Sequence, residues 1–247
     1  MPRPRLLLVP TVCELEWRIR PQLEEWAEVA SYDAPGVGEE PAAASPSIEA
    51  IVDRGLAELE RLGWDRYLVV GDEFGGVIAA RIAAARRERV EALALGHACL
   101  SLRSDGQRPP INAEVRDAFM KLARTDYGSY VRALGQITQH AYDDEWVEGY
   151  RERVTPEAAL AYETARFDAV QERSQSDLIS SLEVPLLFVE HKGCLLFTRE
   201  GFEDAAAAFP EAETASTEIK PSADPRFSEL LREFCARLPS ATSARAD

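Results

Sequence analysis

Short apolar runs alternate with helical patterns along most of this chain. Short strands are predicted at residues 29–32 and 214–219, and the runs at residues 6–9, 67–70, 90–95 and 184–189 have the length and composition of buried β-strands. Before the run at residues 67–70, residues 48–62 place apolar side chains at i, i+3, i+4 and i+7 spacing, which predicts an amphipathic helix. This alternation is typical of α/β folds. We therefore predict an α/β sheet of about six mostly parallel strands flanked by helices.

The alternation stops after the fourth predicted strand, at residues 90–95. Residues 101–178 show only helical patterns, and strands resume after them. We therefore predict an α/β core formed by residues 1–100 and 179–239, with residues 101–178 inserted as an all-helical lid. The small, polar residues 240–247 are predicted to form a flexible tail.

The charge balance of the chain restricts its partners. The 28 basic and 43 acidic side chains give a net charge of −15. Such a surface repels nucleic-acid phosphates and anionic lipid headgroups, which disfavours both as partners. The sequence shows neither a membrane-spanning apolar run nor a signal peptide, so we expect a cytoplasmic protein. Its four dispersed cysteines, without a C-x-x-C pair, are then expected to be reduced thiols.

Reactive side chains gather in the loops that follow the predicted strands. Ligands of open parallel sheets bind at the carboxyl ends of the strands, so these loops supply the candidate site residues. Residues 71–75 (Gly-Asp-Glu-Phe-Gly) connect a predicted strand directly to a helix, and their glycines let the two pack closely. The candidates in these loops are Thr11, Val12, Cys13, Asp72, Glu73, Phe74, His97, Cys99, His191 and Cys194.

Three segments together resemble the lid-bearing branch of the α/β-hydrolase superfamily. Residues 33–38 (Asp-Ala-Pro-Gly-Val-Gly) resemble its D-x-P-G-x-G turn, and residues 71–75 resemble its G-x-S-x-G nucleophile elbow. Residues 177–189 resemble its return from lid to sheet. The resemblance covers nearly the whole chain, and it implies an α/β-hydrolase fold. It also implies an oxyanion site formed by the backbone N–H groups of Val12 and Phe74.

The same resemblance assigns altered residues to all three positions of the Ser-His-acid triad. Glu73 stands where the family has its serine, and Cys194 best matches the acid. Residues 219–224 (Ile-Lys-Pro-Ser-Ala-Asp) follow the last predicted strand and contain no histidine. Serine hydrolysis requires a hydroxyl, a base and a group that orients the base. Ordinary esterase activity is therefore not predicted.

Glu73 is the leading candidate for a catalytic residue. Burial beneath an apolar lid is expected to raise its pKa toward neutrality, which suits a general acid or base. His97, at the end of the fourth strand, is the candidate partner. A covalent role for Glu73 would resemble that of the aspartate nucleophile in some members of the superfamily. Those members need a histidine to activate water. In a third interpretation the site is inactive, and Glu73 blocks the elbow amides.

The remaining candidates are predicted to line the site. The pairs His97-x-Cys99 and His191-x-x-Cys194 have the spacing of zinc ligands, but they lie in separate loops and such short pieces recur by chance. No metal and no cofactor is therefore predicted, and His191 is interpreted as a strand-end cap. Aromatic lid residues favour a hydrophobic small molecule as substrate or ligand. The predicted lining residues are Thr11, Cys13, Asp72, Cys99, His191, Cys194, Tyr127, Tyr130 and Trp146.

Three functional hypotheses follow from these residues. The favoured hypothesis is atypical, non-hydrolytic acid/base chemistry by Glu73, as in a cyclase, isomerase or lyase. The alternatives are an inactive homologue that binds a small molecule or a protein, and a residual atypical hydrolase. An open apolar cavity with His97 about 3 Å from the carboxylate would favour the enzyme. A carboxylate tied to the elbow amides, under a cavity filled by lid side chains, would favour the binding protein.

Overall fold

One parallel β-sheet organises the structure, a computed structural model that describes residues 3–97, 111–139, 144–170 and 174–239. Its six strands lie in the order β2-β1-β3-β4-β5-β6, and every neighbouring pair is parallel. The strands are β1 (Arg5–Val9), β2 (Glu28–Ala30), β3 (Tyr67–Asp72), β4 (Val90–Gly96), β5 (Leu186–His191) and β6 (Glu213–Thr217). The predicted fold class is confirmed. The strand order reverses between β1 and β3, where sheets of this kind bind ligands.

Helices surround the sheet and fill the interval between β4 and β5. The helices of the described residues are α1 (Arg20–Glu24), α2 (Ile48–Leu62), α3 (Phe74–Ala85), α4 (Ala113–Thr125), α5 (Tyr127–Gln139), α6 (Asp144–Arg153), α7 (Pro156–Val170), α8 (Ser174–Ser180), α9 (Arg199–Ala208) and α10 (Pro225–Arg237). None of these described helices is both long and apolar enough to cross a bilayer.

The apolar side chains of the strands pack into two separate core layers, one on each face of the sheet. Successive side chains of a strand point to opposite faces of the sheet. Leu7 and Val69 therefore join the layer that contains α2 and α3, whereas Leu8 and Val70 join the layer that contains α1 and α10. This two-sided burial explains why the central strands are continuous apolar runs.

The insertion helices, defined here as α4–α7, lie over the carboxyl ends of the strands, in the segment predicted to form the lid. Two hydrogen bonds fasten them to the core. The indole N–H of Trp146 donates to the carbonyl of Leu15 at 3.1 Å. The hydroxyl of Tyr162 donates to the carbonyl of Pro35 at 2.6 Å.

The segment between β1 and β2 differs from the sequence-based expectation. The spacing of Trp17, Leu23 and Trp26 predicts a single helix over residues 14–26, but the chain forms a 3-10 turn at Glu14–Glu16 and then the short helix α1. Pro21 accounts for the break, because proline lacks a backbone N–H and is tolerated only in the first turn of a helix. The break lets Glu16 fold back onto the loop that follows β1.

Candidate functional site

The tight turn between β3 and α3 forms the floor of the site. Its central residue, Glu73, has φ 51° and ψ −118°, in the left-handed half of backbone space that L-residues rarely adopt. A Cβ atom on Gly71 would lie 2.5 Å from the carbonyl oxygen of Gly75. One on Gly75 would lie 2.6 Å from the carbonyl oxygen of Val9. These contacts require glycine at both positions, and they hold the turn as a strand–turn–helix elbow.

The Glu73 side chain at the top of this elbow is buried and faces a cation. The Nζ atom of Lys220, which follows β6, lies 3.4 Å from the Oε2 atom of Glu73. Both side chains are at most 4% exposed. The Oε1 atom lies 3.9 Å from the Nδ1 atom of His191 and 4.0 Å from the Sγ atom of Cys194. Groups that follow β3, β5 and β6 therefore converge on one carboxylate.

The charge of Lys220 reverses the pKa shift expected for Glu73. Burial alone would raise the pKa of the carboxyl group, but Lys220, with smaller contributions from His191 and His97, lowers it to about 2. In return, burial disfavours the Lys220 ammonium, yet Glu73 and Asp72 outweigh burial and raise its pKa. The expectation of a Glu73 pKa near neutrality is therefore wrong. The pair is ionised at neutral pH, and Glu73 holds no proton to donate.

Asp72, the neighbour of Glu73, fastens the segment that carries Lys220. Its Oδ2 atom accepts a hydrogen bond from the backbone N–H of Ser222 at 2.9 Å. Burial, opposed by Lys220 and assisted by Glu73, raises the pKa of Asp72 to about 6. The carboxyl group of Asp72 therefore supports the elbow and the loop after β6 together.

The two histidines at the ends of β4 and β5 have different surroundings. The Nδ1 atom of His97 accepts a hydrogen bond from the backbone N–H of His191 at 3.0 Å, which is the capping arrangement. It is the ring of His191 that places a nitrogen 3.9 Å from the Glu73 carboxylate. The roles expected for the two histidines are thus exchanged in space: His97 caps a strand end, and His191 faces Glu73.

Burial also fixes the protonation state of His97. Because burial outweighs the attraction of Glu73, the pKa of His97 falls to about 4. The unfolded chain, with a histidine pKa of about 6.5, then binds a proton more readily than the folded chain, so stability falls as pH drops from about 6.5 to about 4.

A His97→Asn variant should lose this part of the pH dependence. Asparagine tolerates the φ of 38° found at His97 and carries no titrating proton. The slope of unfolding free energy against pH should therefore flatten by up to about 1.4 kcal/mol per pH unit between pH 5 and 6. Denaturant unfolding of both proteins across this range measures the slope, and equal slopes would contradict the prediction.

A carboxylate covers the loop that follows β1. Glu16 accepts hydrogen bonds from the backbone N–H groups of Thr11 (2.9 Å), Val12 (3.0 Å) and Cys13 (3.2 Å). Val12 was expected to offer its N–H to a substrate oxygen. In this structure that N–H is engaged by Glu16 instead, because the break before α1 returns Glu16 to the loop.

The cavity above Glu73 has a volume of about 20 Å³, which is room for one water molecule. Side chains from the insertion helices fill most of the space over the elbow. The carboxylate thus lies under a filled cavity, held by Lys220. The lining residues are Thr11, Glu16, Glu73, Phe74, Phe119, Leu134, Trp146, Glu163, Arg166, Phe167, Leu196 and Lys220.

Comparison with known proteins begins with sequence. No family model matches the chain. It is 26% identical over 181 residues to a pimeloyl-[acyl-carrier protein] methyl ester esterase of Neisseria meningitidis, covering 69% of this chain and 54% of the esterase. It is 37% identical over 116 residues to the lipase LipV of Mycobacterium tuberculosis, covering 47% of this chain and 42% of the lipase. The match spans about half the length of these relatives.

The fold comparison covers almost the whole chain. The structure of a hydrolase from Oleispira antarctica superposes with a TM-score of 0.77 at 15% sequence identity, covering 96% of this chain and 92% of that one. The chain therefore has the α/β-hydrolase fold. In this α/β-hydrolase-fold protein the elbow residue is Glu73, with Lys220 and Cys194 beside it.

The other predicted site residues of this α/β-hydrolase-fold protein are only partly brought together. Thr11, Phe74 and Trp146 line the cavity, and Cys13 is buried in the loop below it. The hydroxyl of Tyr127 donates to the carbonyl of Val154, and that of Tyr130 donates to Glu163, so both hydroxyls are used among the insertion helices. Cys99 lies outside the described residues.

Two residues that sequence reasoning missed matter most to the site. Lys220 lies directly after the last strand, in the segment where the superfamily resemblance places the catalytic histidine. That placement was a usable signal. Glu16 lies three residues after Cys13, the spacing at which a carboxylate caps the start of a helical turn. The spacing of Cys13 and Glu16 was overlooked because a continuous helix was expected there. Such a helix would point Glu16 away from the loop.

Proposed function

We propose that this α/β-hydrolase-fold protein binds a hydrophobic small molecule beneath its insertion helices and lacks the ester hydrolysis of its relatives. The observation that carries the proposal is the buried ion pair between Glu73 and Lys220, with 3.4 Å between Nζ and Oε2. Acyl transfer needs a hydroxyl or thiol nucleophile and a neutral base that accepts its proton. A carboxylate paired with an ammonium group supplies neither.

Two further features support the loss of hydrolysis. The candidate acid position holds Cys194, and burial raises the pKa of its thiol to about 12, so it carries no charge that would orient a base. The N–H of Val12 donates to Glu16 at 3.0 Å and is not available to a tetrahedral intermediate. Nucleophile, base, acid and oxyanion donor have therefore all lost their usual chemistry.

The lining of the cavity supports the proposed ligand class. Half of its side chains are aromatic or aliphatic, and the rest are polar or charged, including three carboxylates and the cations of Arg166 and Lys220. An apolar molecule with one uncharged polar group complements such a lining. Because the cavity holds only about 20 Å³, a ligand must displace side chains of the insertion helices.

Hydrolysis of 4-nitrophenyl butyrate tests the first half of the proposal. We expect purified protein, assayed with a chelator present, to release 4-nitrophenol no faster than the Glu73→Gln variant. Turnover that the wild type shows and Glu73→Gln loses would contradict the proposal, since it would make Glu73 a catalytic group.

Binding of 1-decanol, an apolar chain with one hydroxyl group, tests the second half. We expect saturable 1:1 binding by titration calorimetry. Leu196→Trp fills space at the lined cavity and should weaken binding at least about tenfold. Leu195→Trp is the matched control, because this neighbouring side chain is 57% exposed and outside the cavity lining. Equal effects of the two variants would place binding elsewhere.

A second candidate function is acid/base catalysis of a cyclisation, isomerisation or elimination. The observation that favours it is the ring of His191, whose Nδ1 atom lies 3.9 Å from Glu73 Oε1. An imidazole ring can accept a proton at one nitrogen and donate one from the other, as such catalysis requires. Turnover of a bound ligand that disappears in both Glu73→Gln and His191→Gln, with ligand affinity unchanged, would favour this function over binding alone.

A further inference from the structure

We propose that Glu73, His191 and Cys194 form a binding site for a divalent transition metal, with Zn²⁺ as the best match. One ligand atom from each residue lies within 4.8 Å of the other two. Thiolate, imidazole and carboxylate together are a ligand set that zinc prefers. The inference goes beyond the proposed function and does not depend on it.

Two of the three separations between the ligand atoms are close to those of a tetrahedral site. Zinc bonds of about 2.0–2.3 Å place neighbouring ligand atoms roughly 3.3–3.6 Å apart. Here the Oε1 atom of Glu73 lies 3.9 Å from Nδ1 of His191 and 4.0 Å from Sγ of Cys194. Side-chain shifts of about half an ångström would close these two separations, and the ligand atoms of His191 and Cys194 lie within 4.8 Å of each other. The adjoining cavity has room for the one water molecule that a fourth position requires.

Surrounding groups hold the three ligands in place. The backbone N–H of Phe197 donates to Sγ of Cys194 at 3.3 Å, a contact that stabilises a thiolate. Lys220 lies against Oε2 of Glu73 and leaves Oε1 facing the other two ligands. The Nδ1 atom of His97 accepts a hydrogen bond from the backbone N–H of His191, which fixes the end of β5 that carries His191. Ligand side chains that are already held by hydrogen bonds or ion pairs lose less conformational entropy when a metal binds.

The local charges also fit a dication. The ionisable residues of the cavity are three carboxylates and two cations, and the buried carboxyl group of Asp72 adds a further negative charge beneath them. The formal sum is an excess of negative charge in a poorly solvated site. A dication that displaces the thiol proton of Cys194 to solvent brings this sum close to neutrality, which offsets the repulsion from Lys220. The carboxylates and cations of the cavity are Glu16, Glu73, Glu163, Arg166 and Lys220.

Metal titration of the chelator-treated, dialysed full-length protein tests the site. We expect one Zn²⁺ per chain by competition with a chromophoric chelator. Co²⁺ should give the near-ultraviolet absorption of a thiolate–cobalt bond. Cys194→Ser should lose this absorption, and both Cys194→Ser and His191→Gln should weaken Zn²⁺ binding at least about 100-fold.

Cys235→Ser is the matched control, because this half-buried thiol packs in the core layer on the other face of the sheet. Cys235→Ser should leave the Zn²⁺ affinity and the Co²⁺ absorption unchanged. Circular dichroism verifies that each variant is folded.

Lys220→Met offers a second test. Removing the competing cation should enlarge the rise in Tm caused by Zn²⁺. Stoichiometry well below one, or Cys194→Ser binding as tightly as wild type, would overturn the proposal. Because these readouts are not activities, their failure is distinguishable from failure of the proposed function.

Discussion

Replacing Lys220 with methionine should destabilise the protein by about 3–5 kcal/mol at pH 7–8, the cost of leaving a buried charge without its partner. Lys220 is 3% exposed, and its ammonium group is the cation that faces Glu73 in the described structure. Without Lys220, burial would dominate the pKa of Glu73, which would rise instead of falling to about 2. Denaturant unfolding measures the loss directly.

The loss should depend on pH in a defined direction. In the wild type the folded-state pKa of Glu73 is depressed, so the pair contributes stability above the unfolded pKa of about 4.3 and loses it as pH falls toward 2. In Lys220→Met the unpaired carboxyl group takes up a proton on acidification, which relieves its burial cost. The difference between the two proteins should therefore shrink from pH 8 to pH 5.

Two control variants separate this effect from general damage. Lys192 also pairs with a carboxylate, Glu218, at 2.8 Å, but the two side chains are 48% and 79% exposed. Lys192→Met should leave the unfolding free energy almost unchanged, because solvent screens an exposed ion pair. Adding Glu73→Gln to Lys220→Met removes the orphaned charge and should restore most of the lost stability. Losses that simply add in the double variant would show that the pair is not coupled.

The local elements of this fold could be predicted because their signals lie close together in the sequence. Residues 48–62 were expected as a helix, and α2 spans those residues, from its cap at Ser47 to the left-handed Gly63. The elbow was predictable because Gly71 and Gly75 flank Glu73 directly after a buried run. Such motifs encode their own backbone geometry.

The chemistry of the site was not predictable in the same way. The pKa of Glu73 depends on Lys220, which another strand brings to the elbow, and the sequence shows no spacing that pairs them. The same holds for the exchange between His97 and His191, since strand ends fix which ring faces the carboxylate. Burial was predictable from the strand pattern, but its electrostatic consequence depended on contacts between distant segments.

The ion pair between Glu73 and Lys220 also has a structural consequence for the elbow. A strained backbone at the end of β3 persists only if surrounding contacts hold it. Here the ion pair joins the elbow to the segment after β6, and the Asp72–Ser222 hydrogen bond of 2.9 Å joins the same two segments. These two contacts hold the strained elbow in place.

Glu16→Ala should have the second large effect, a loss of about 3–5 kcal/mol of unfolding free energy. The carboxylate of Glu16 accepts three buried backbone hydrogen bonds, from Thr11, Val12 and Cys13. Each donor left without an acceptor costs about 1–3 kcal/mol, and partial access of water to the loop keeps the total below the full sum. Hydrogen exchange at these three amides should accelerate together.

Glu16→Gln should give an intermediate loss, because the three bonds are divided unequally between the carboxylate oxygens. Oε1 accepts from Val12 and Cys13, whereas Oε2 accepts from Thr11. A glutamine carbonyl can keep the first two bonds, while its NH₂ group faces the Thr11 donor. We expect a loss of about 1–2 kcal/mol. Equal losses for alanine and glutamine would show that packing, not hydrogen bonding, sets the role of Glu16.

Freeing the Val12 N–H in this way should not produce an esterase. The Glu16→Ala variant recovers one oxyanion donor, but Glu73 and Lys220 still occupy the elbow as an ion pair. A donor accelerates acyl transfer only where a nucleophile forms the tetrahedral intermediate that the donor stabilises. Hydrolysis of 4-nitrophenyl butyrate should therefore stay at background in Glu16→Ala. A clear gain in turnover would show that a nucleophile is present and that Glu16 alone silences it.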